Sequence, residues 1–148
     1  MIGQVFNEIK KSFPEINSKI KPFNKKSFMW SSPITGNIYY NKEQVKNIKF
    51  SRTALKGALA HELSHQIGYK EMNFIARLLF KLRYQNFDFK RKIERQADTI
   101  AAKRGFGREL IQLLKESEHK FERKRFLKIK KTHLSVDEIK QLMDKKQG

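Results

Sequence analysis

The segment His61-Glu62-Leu63-Ser64-His65 carries the side chains of this sequence that are best suited to catalysis. It matches the pattern H-E-x-x-H, in which two histidines bind zinc and the glutamate acts as a base. On a helix, His61 and His65 lie about 40° apart on one face, and Glu62 projects beside them. The spacing therefore predicts a helical metal site with two imidazole ligands and a carboxylate that takes a proton from water.

A catalytic zinc site takes a third protein ligand and leaves a fourth position open, and two carboxylates compete for this third place. Glu71 follows Gly68 at the position where a metzincin carries its third histidine. Glu94 begins the later segment Glu94-Arg95-Gln96-Ala97-Asp98, whose helical apolar periodicity places Glu94 and Asp98 on one face. From the spacing alone, both candidates stay open.

The combination of H-E-L-S-H with a later E-R-Q-A-D resembles the gluzincin zinc metallopeptidases, in particular the minigluzincin and HtpX-like types. The resemblance extends over about residues 34–107. It implies three Zn²⁺ ligands, a catalytic base and a carboxylate behind one ligand, which are respectively His61, His65 and Glu94, then Glu62, then Asp98. The role of the last carboxylate is physically reasonable, because a partner on the second ring nitrogen fixes the tautomer of a ligating histidine.

The resemblance also implies an edge strand that binds substrate, just before the active-site helix. Its position corresponds to Asn37, Ile38, Tyr39 and Tyr40. An extended peptide can pair with such an edge through main-chain hydrogen bonds. The alternation of these residues fits an ordinary hairpin strand equally well, so both interpretations remain open.

Two further features follow from the expected chemistry and from the resemblance. Peptide hydrolysis calls for a group that stabilises the oxyanion, and the candidates, none with diagnostic spacing, are Tyr39, Tyr40, Tyr69, Tyr84 and His133. His133 is more typical of a residue that precedes a helix cap at Ser135. Minigluzincins can be kept latent by a terminal segment, sometimes between protomers, so residues 131–148 are a candidate inhibitory or docking tail and a homo-oligomer is a candidate assembly.

The elements that position these residues are predicted to be mainly helical. Apolar periodicity predicts helices over 2–13, 52–68, 72–84, 90–104, 107–126 and 136–145. Strand-forming segments at 28–30 and 38–40 flank a turn. We therefore expect an α+β fold over residues 1–148, in which a small antiparallel sheet with an edge strand packs on a mainly helical, zincin-like domain.

The motif helix should present two different sides. Small residues share the side of the histidines and are expected to leave room for the metal; they are Ala54, Gly57, Ala58 and Gly68. Leucines on the other side should face the core, so that one helix serves both packing and chemistry.

The chain carries 33 Lys and Arg against 15 Asp and Glu, a formal net charge of +18. Such a charge attracts polyanions, and the basic residues within 115–131 interleave with Phe121 and Phe126. A solvated lysine-rich face explains that segment as well. Weak polyanion binding is therefore an expected property, and the alternative to a peptidase is a basic nucleic-acid-binding protein, or a DNA-associated protease, whose zinc site is structural or accessory.

Other absences in the sequence narrow the function classes. The chain has no cysteine, which excludes disulfides, cysteine-based zinc fingers and zinc hydrolases that need a cysteine ligand. The longest apolar segment, 72–82, contains Arg77 and Lys81 and is shorter than the ~20 residues that a membrane span needs. No signal-peptide pattern opens the sequence. We expect a cytoplasmic zinc endopeptidase without a membrane span, acting on peptide or protein substrates.

Overall fold

The computed structural model describes residues 1–147. The strands are β1 (Ile20–Pro22), β2 (Met29–Ser31) and β3 (Ile38–Tyr40). The helices are α1 (Ile2–Lys10), α2 (Lys42–Ile48), α3 (Arg52–Lys70), α4 (Phe74–Leu78), α5 (Phe80–Arg83), α6 (Phe87–Ala101), α7 (Gly107–Lys120), α8 (Arg123–Thr132) and α9 (Val136–Gln147), with a π-helical turn at Ala102–Phe106. The predicted α+β class is confirmed.

The sheet is mixed rather than antiparallel as predicted. Its strand order is β1-β3-β2, with β3 parallel to β1 and antiparallel to β2. The sequence prediction missed β1 because it is three residues long, largely exposed and ends in Pro22, so it shows no strand pattern.

The prediction that Asn37, Ile38, Tyr39 and Tyr40 form a substrate-binding edge is wrong, because β3 is the central strand. The Ile38 N–H donates to the carbonyl of Lys19 (2.9 Å) on the β1 side. On the other side, β3 pairs with β2 from Tyr40 to Ile38. The strand with one free side that lies next to α3 is instead β2, whose Ser31 Oγ donates to the Glu62 carbonyl at 2.5 Å.

Helix α3 runs through the core and contacts α1, α6 and α7. Its leucines Leu55, Leu59 and Leu63 are buried, as predicted. The helix begins at Ser51, whose hydroxyl accepts from the Ala54 N–H at 3.1 Å. The Glu116 carboxylate on α7 accepts from the Ser51 N–H at 2.9 Å, so α7 fixes the start of the motif helix.

Several helix boundaries differ from the predicted ones, because tertiary contacts override local periodicity. The predicted helix 107–126 divides into α7 and α8 at Phe121, which is extended and packs edge-on against Phe50 (ring centroids 5.5 Å apart). The predicted helix 72–84 is the two short helices α4 and α5. Helix α2 was not predicted; its cap is Asn41, whose side chain accepts from the Gln44 N–H at 2.9 Å.

The C-terminal segment belongs to the same hydrophobic core as α1. Leu134 and Ile139 are buried in that core. The predicted capping box is present: the Ser135 N–H donates to Glu138 (2.7 Å), and the Glu138 N–H donates to the Ser135 hydroxyl (3.2 Å). Removing residues from 131 onward would therefore expose part of the hydrophobic core. Inhibition of the protein by this segment stays a prediction.

Within residues 1–147, no helix is both long and apolar enough to cross a bilayer.

Candidate metal centre

Three parts of the fold bring the predicted site residues together. Helix α3 supplies His61 and His65, and α6 supplies Glu94 and Asp98, all four buried. The two carboxylates share the buried side of α6 with apolar residues, as the helical spacing of that segment predicts. The loop between α8 and α9 adds His133, which the sequence had not assigned to the metal site.

Three potential ligand atoms converge between α3 and α6. His61 Nε2 lies 2.9 Å from His65 Nε2 and 3.0 Å from Glu94 Oε2, and His65 Nε2 lies 3.5 Å from the same oxygen. These separations allow one point about 2 Å from each atom, the length of Zn–N and Zn–O bonds. The His61, His65 and Glu94 donor set therefore fits a metal ion with three protein ligands.

The rival third ligand, Glu71, lies elsewhere. It caps the C-terminal end of α3, where it is exposed. Among the described residues, no group of converging ligand atoms includes it. The structure thus places Glu94, rather than Glu71, beside the two histidines.

Asp98 joins the centre to the C-terminal segment. Its Oδ1 lies 2.7 Å from His61 Nδ1, and its Oδ2 accepts from the Leu134 N–H at 2.9 Å and lies 3.2 Å from His133 Nδ1. Burial alone would raise the pKa of Asp98, but His133 and His61 lower it well below its usual range. An ionised Asp98 therefore accepts the Nδ1–H of His61, which directs Nε2 toward Glu94.

In this tautomer, the lone pair on His61 Nε2 faces a carboxylate oxygen of Glu94. A neutral His61 that donates through Nδ1 has a bare Nε2, yet that nitrogen lies 3.0 Å from a Glu94 carboxylate oxygen and 2.9 Å from His65 Nε2. A proton or a metal ion between these atoms makes the arrangement favourable. Burial lowers the pKa of His61, but Asp98 and Glu94 outweigh it and raise that pKa well above the ordinary value, so a metal ion would displace a proton.

Glu94 receives further support from outside the three-atom group. The Tyr84 hydroxyl donates to Glu94 Oε1, and His133 Nε2 lies 3.3 Å from Oε2. Burial would raise the pKa of Glu94, but the facing histidines hold it well below its ordinary value. Burial and the nearby Glu94 raise the pKa of Tyr84, so its hydroxyl stays protonated and acts as a donor.

Of the five oxyanion candidates, Tyr84 and His133 are the two that reach Glu94. Tyr69 stacks on His65 (ring centroids 5.8 Å apart), and Tyr39 stacks on Trp30 in the sheet. The position of His133 at the centre could not be predicted from local spacing, because its partners, Glu94 and Asp98, are distant from it in the sequence.

Glu62 lies next to the centre and is half-buried. Burial raises the pKa of its carboxyl group, while His65 and His61 act in the opposite direction. Both Glu62 and the ligand group line a cleft of about 1310 Å³, which β2 and α5 also border. The predicted base therefore faces the same space as the predicted ligands.

The small residues on the histidine side of α3 serve different purposes. A Cβ at Gly57 would overlap the backbone of Glu109 at the start of α7, so this glycine allows close helix packing. At Gly68, a Cβ would lie 3.5 Å from the Gln96 side chain on α6. The expectation that Gly57 makes room for a metal is wrong, whereas Ala58 does line the cleft.

Comparison with known proteins yields no match to this chain among family models, curated proteins or solved structures.

Proposed function

We propose that this protein is a zinc-dependent endopeptidase of the gluzincin type. The observation that carries the proposal is the convergence of His61, His65 and Glu94 within 3.5 Å of one another, with Glu62 facing the same cleft. Three protein ligands are typical of catalytic zinc sites, whereas structural sites usually have four. The described residues form two groups of potential metal ligands, and each has three members. The groups are His61, His65 and Glu94, and His61, Asp98 and His133.

The roles of the residues follow from their positions. A bound zinc ion would polarise the scissile carbonyl and lower the pKa of water. Glu62 accepts a proton from the attacking water and returns it to the leaving amine, and its raised pKa suits this exchange. Asp98 orients His61, while Tyr84 fixes Glu94 and, with His133, supplies polar groups beside the reaction space.

An extended substrate fits against β2 rather than β3. Strand β2 has a sheet neighbour on one side only, and its residues Met29, Trp30 and Ser31 line the cleft that contains His61. A peptide that pairs with β2 would run beside the Glu62 carboxylate. The substrate-strand hypothesis is thus kept, but for a different strand.

The alternative nucleic-acid function loses part of its support in the folded chain. Phe121, one of the two aromatic residues in the basic segment, packs against Phe28 and Phe50 in the core. Arg125 covers the Phe121 ring, with its guanidinium carbon 3.8 Å from the ring centroid. These two side chains stabilise the fold and are not presented for stacking on bases.

Zinc content of the purified, full chain tests the proposal, with Glu94→Ala compared with Glu71→Ala. We expect one zinc per chain in the parent and in Glu71→Ala, and more than about a hundredfold weaker zinc binding in Glu94→Ala, since Glu94, unlike Glu71, faces the histidines. Release of peptides from an unfolded protein substrate should require zinc. A parent chain that takes up no zinc, or that binds zinc without hydrolysing any such substrate, would contradict the proposal.

A further inference from the structure

Large apolar side chains are exposed in one segment outside the metal centre. Six of the ten exposed large apolar residues in the described chain fall between residues 74 and 87, with 46–71% of their surface exposed. They are Phe74, Ile75, Leu78, Leu79, Leu82 and Phe87, which we call the 74–87 surface. Exposed apolar side chains that are concentrated in one segment are typical of a binding surface.

Hydrogen bonds and the buried Phe80 side chain fix the 74–87 surface to the end of α3. Asn73 caps α4 by accepting from the Ala76 N–H at 2.8 Å. The Arg77 guanidinium donates to the carbonyls of Tyr69 (2.9 Å) and Met72 (3.1 Å) at the end of α3. Phe80 is buried against Tyr69, its ring centroid 5.0 Å away. The exposed side chains therefore point outward from an anchored segment.

Basic residues predominate in the segment that carries these apolar side chains. Residues 70–92 contain two acids, Glu71 and Asp88, and seven basic residues, namely Lys70, Arg77, Lys81, Arg83, Lys90, Arg91 and Lys92. Over residues 1–147, the ion pairs found include none of these basic side chains. A second copy of the chain would bring the same net charge of +18, which opposes self-association through this surface.

We propose that the 74–87 surface docks on the surface of an anionic lipid bilayer. Short helices with Phe and Leu on one face and Lys and Arg around them lie in the membrane interface, where apolar side chains enter the headgroup region and cations attract anionic lipids. The attachment is peripheral. Phe80 of α5 and Tyr84, which follows α5, line the cleft, so the docked protein carries its metal centre next to the membrane.

Vesicle flotation of the 148-residue chain tests the proposal. Vesicles of phosphatidylcholine alone are compared with vesicles containing about one-third phosphatidylglycerol. The test variant is Phe74→Ser with Leu82→Ser, whose side chains are 71% and 67% exposed, and the control is Ile34→Ser, which removes a 56% exposed apolar side chain from a turn elsewhere. We expect binding to the anionic vesicles, weakened about tenfold or more in the test variant and unchanged in the control.

Three results would overturn this proposal. One is failure of the parent chain to bind the anionic vesicles. Another is equal binding by the parent and the test variant, which would assign the attachment to net charge alone. The third is a dimer, seen by sedimentation velocity, that the test variant dissociates. Circular dichroism checks folding, and because neither substituted residue touches the metal centre, failure here leaves the peptidase proposal unaffected.

Discussion

Helix α3 meets two neighbouring helices in contrasting ways. Against α7, Gly57 lets the backbone around Glu109 approach so closely that no Cβ fits between them. Against α6, one turn further along, buried histidines meet buried carboxylates. Close apolar packing stabilises a fold, whereas buried charged groups lose hydration and are tolerated only when every partner is in place.

Along α3, the residues that stabilise the fold are therefore different from those that could bind a metal ion. The contact with α7 holds the helix, and the contact with α6 presents the potential ligands. Substitutions at the two contacts should therefore have different signatures: loss of activity or metal binding in a folded chain for α6, and loss of stability for α7.

The largest loss of activity without a loss of stability is expected for Glu62→Gln. Because Glu62 is the proposed proton acceptor and is not a metal ligand, peptide hydrolysis should fall about 10³-fold while zinc content and melting temperature stay the same. Initial rates on an unfolded protein, zinc analysis and thermal unfolding measure the three quantities. Hydrolysis at the parent rate would exclude Glu62 as the base.

A smaller effect on metal binding is expected for Asp98→Asn. The amide cannot accept from His61 with the strength of a carboxylate, so the zinc affinity should fall about 10–100-fold. Competition with a chromogenic chelator measures the affinity. Asp88→Asn, at the exposed start of the same helix, is the matched control and should bind zinc as the parent does. Equal affinities for all three chains would refute the coupling between Asp98 and His61.

At the α7 contact, Gly57→Ala should lower the free energy of unfolding by about 2 kcal/mol, because the new methyl group forces the two backbones apart. Gly3→Ala is the control, since a Cβ at Gly3 has no heavy atom within 4 Å. Urea unfolding of the metal-free chains measures both. If Gly57→Ala matches the control, the close approach of α7 does not support the fold.

The smallest effect concerns Glu116, which caps the start of α3 from α7. Burial raises its pKa, but hydrogen bonds from Gln112 and Ser51 lower it to about 2 overall. A depressed pKa contributes stability above the unfolded value of 4.5, and this stability is lost as the pH falls toward about 2. Glu116→Gln should therefore cost about 1 kcal/mol at pH 7.

Unfolding of the parent and Glu116→Gln across this pH range provides the measurement. The difference between the two chains should narrow steadily below pH 4.5, since protonated Glu116 resembles glutamine. A difference that is constant with pH would show that the carboxylate charge does not support the cap.

The sequence predicted the parts of the centre that depend on local spacing. Helical periodicity is a short-range property, so the shared face of His61 and His65, and that of Glu94 and Asp98, followed from it. The positions of His133 and β1 did not, because contacts across many residues create them. Phe121 likewise breaks a periodic segment because its ring packs into the core. The role of Gly57 was misjudged because only the folded chain brings α7 against it.

The bond between the Leu134 N–H and Asp98 has a consequence for synthesis. A chain made from its N-terminus acquires the two histidines first, then Glu94, then Asp98, and the third bonding partner of Asp98 only when residue 134 has been added. The carboxylate that orients His61 therefore lacks one of its three partners until that residue has been added. For a hydrolase of the proposed kind, this order means that the growing chain and its neighbours on the ribosome meet the completed centre only after residue 134 has been made.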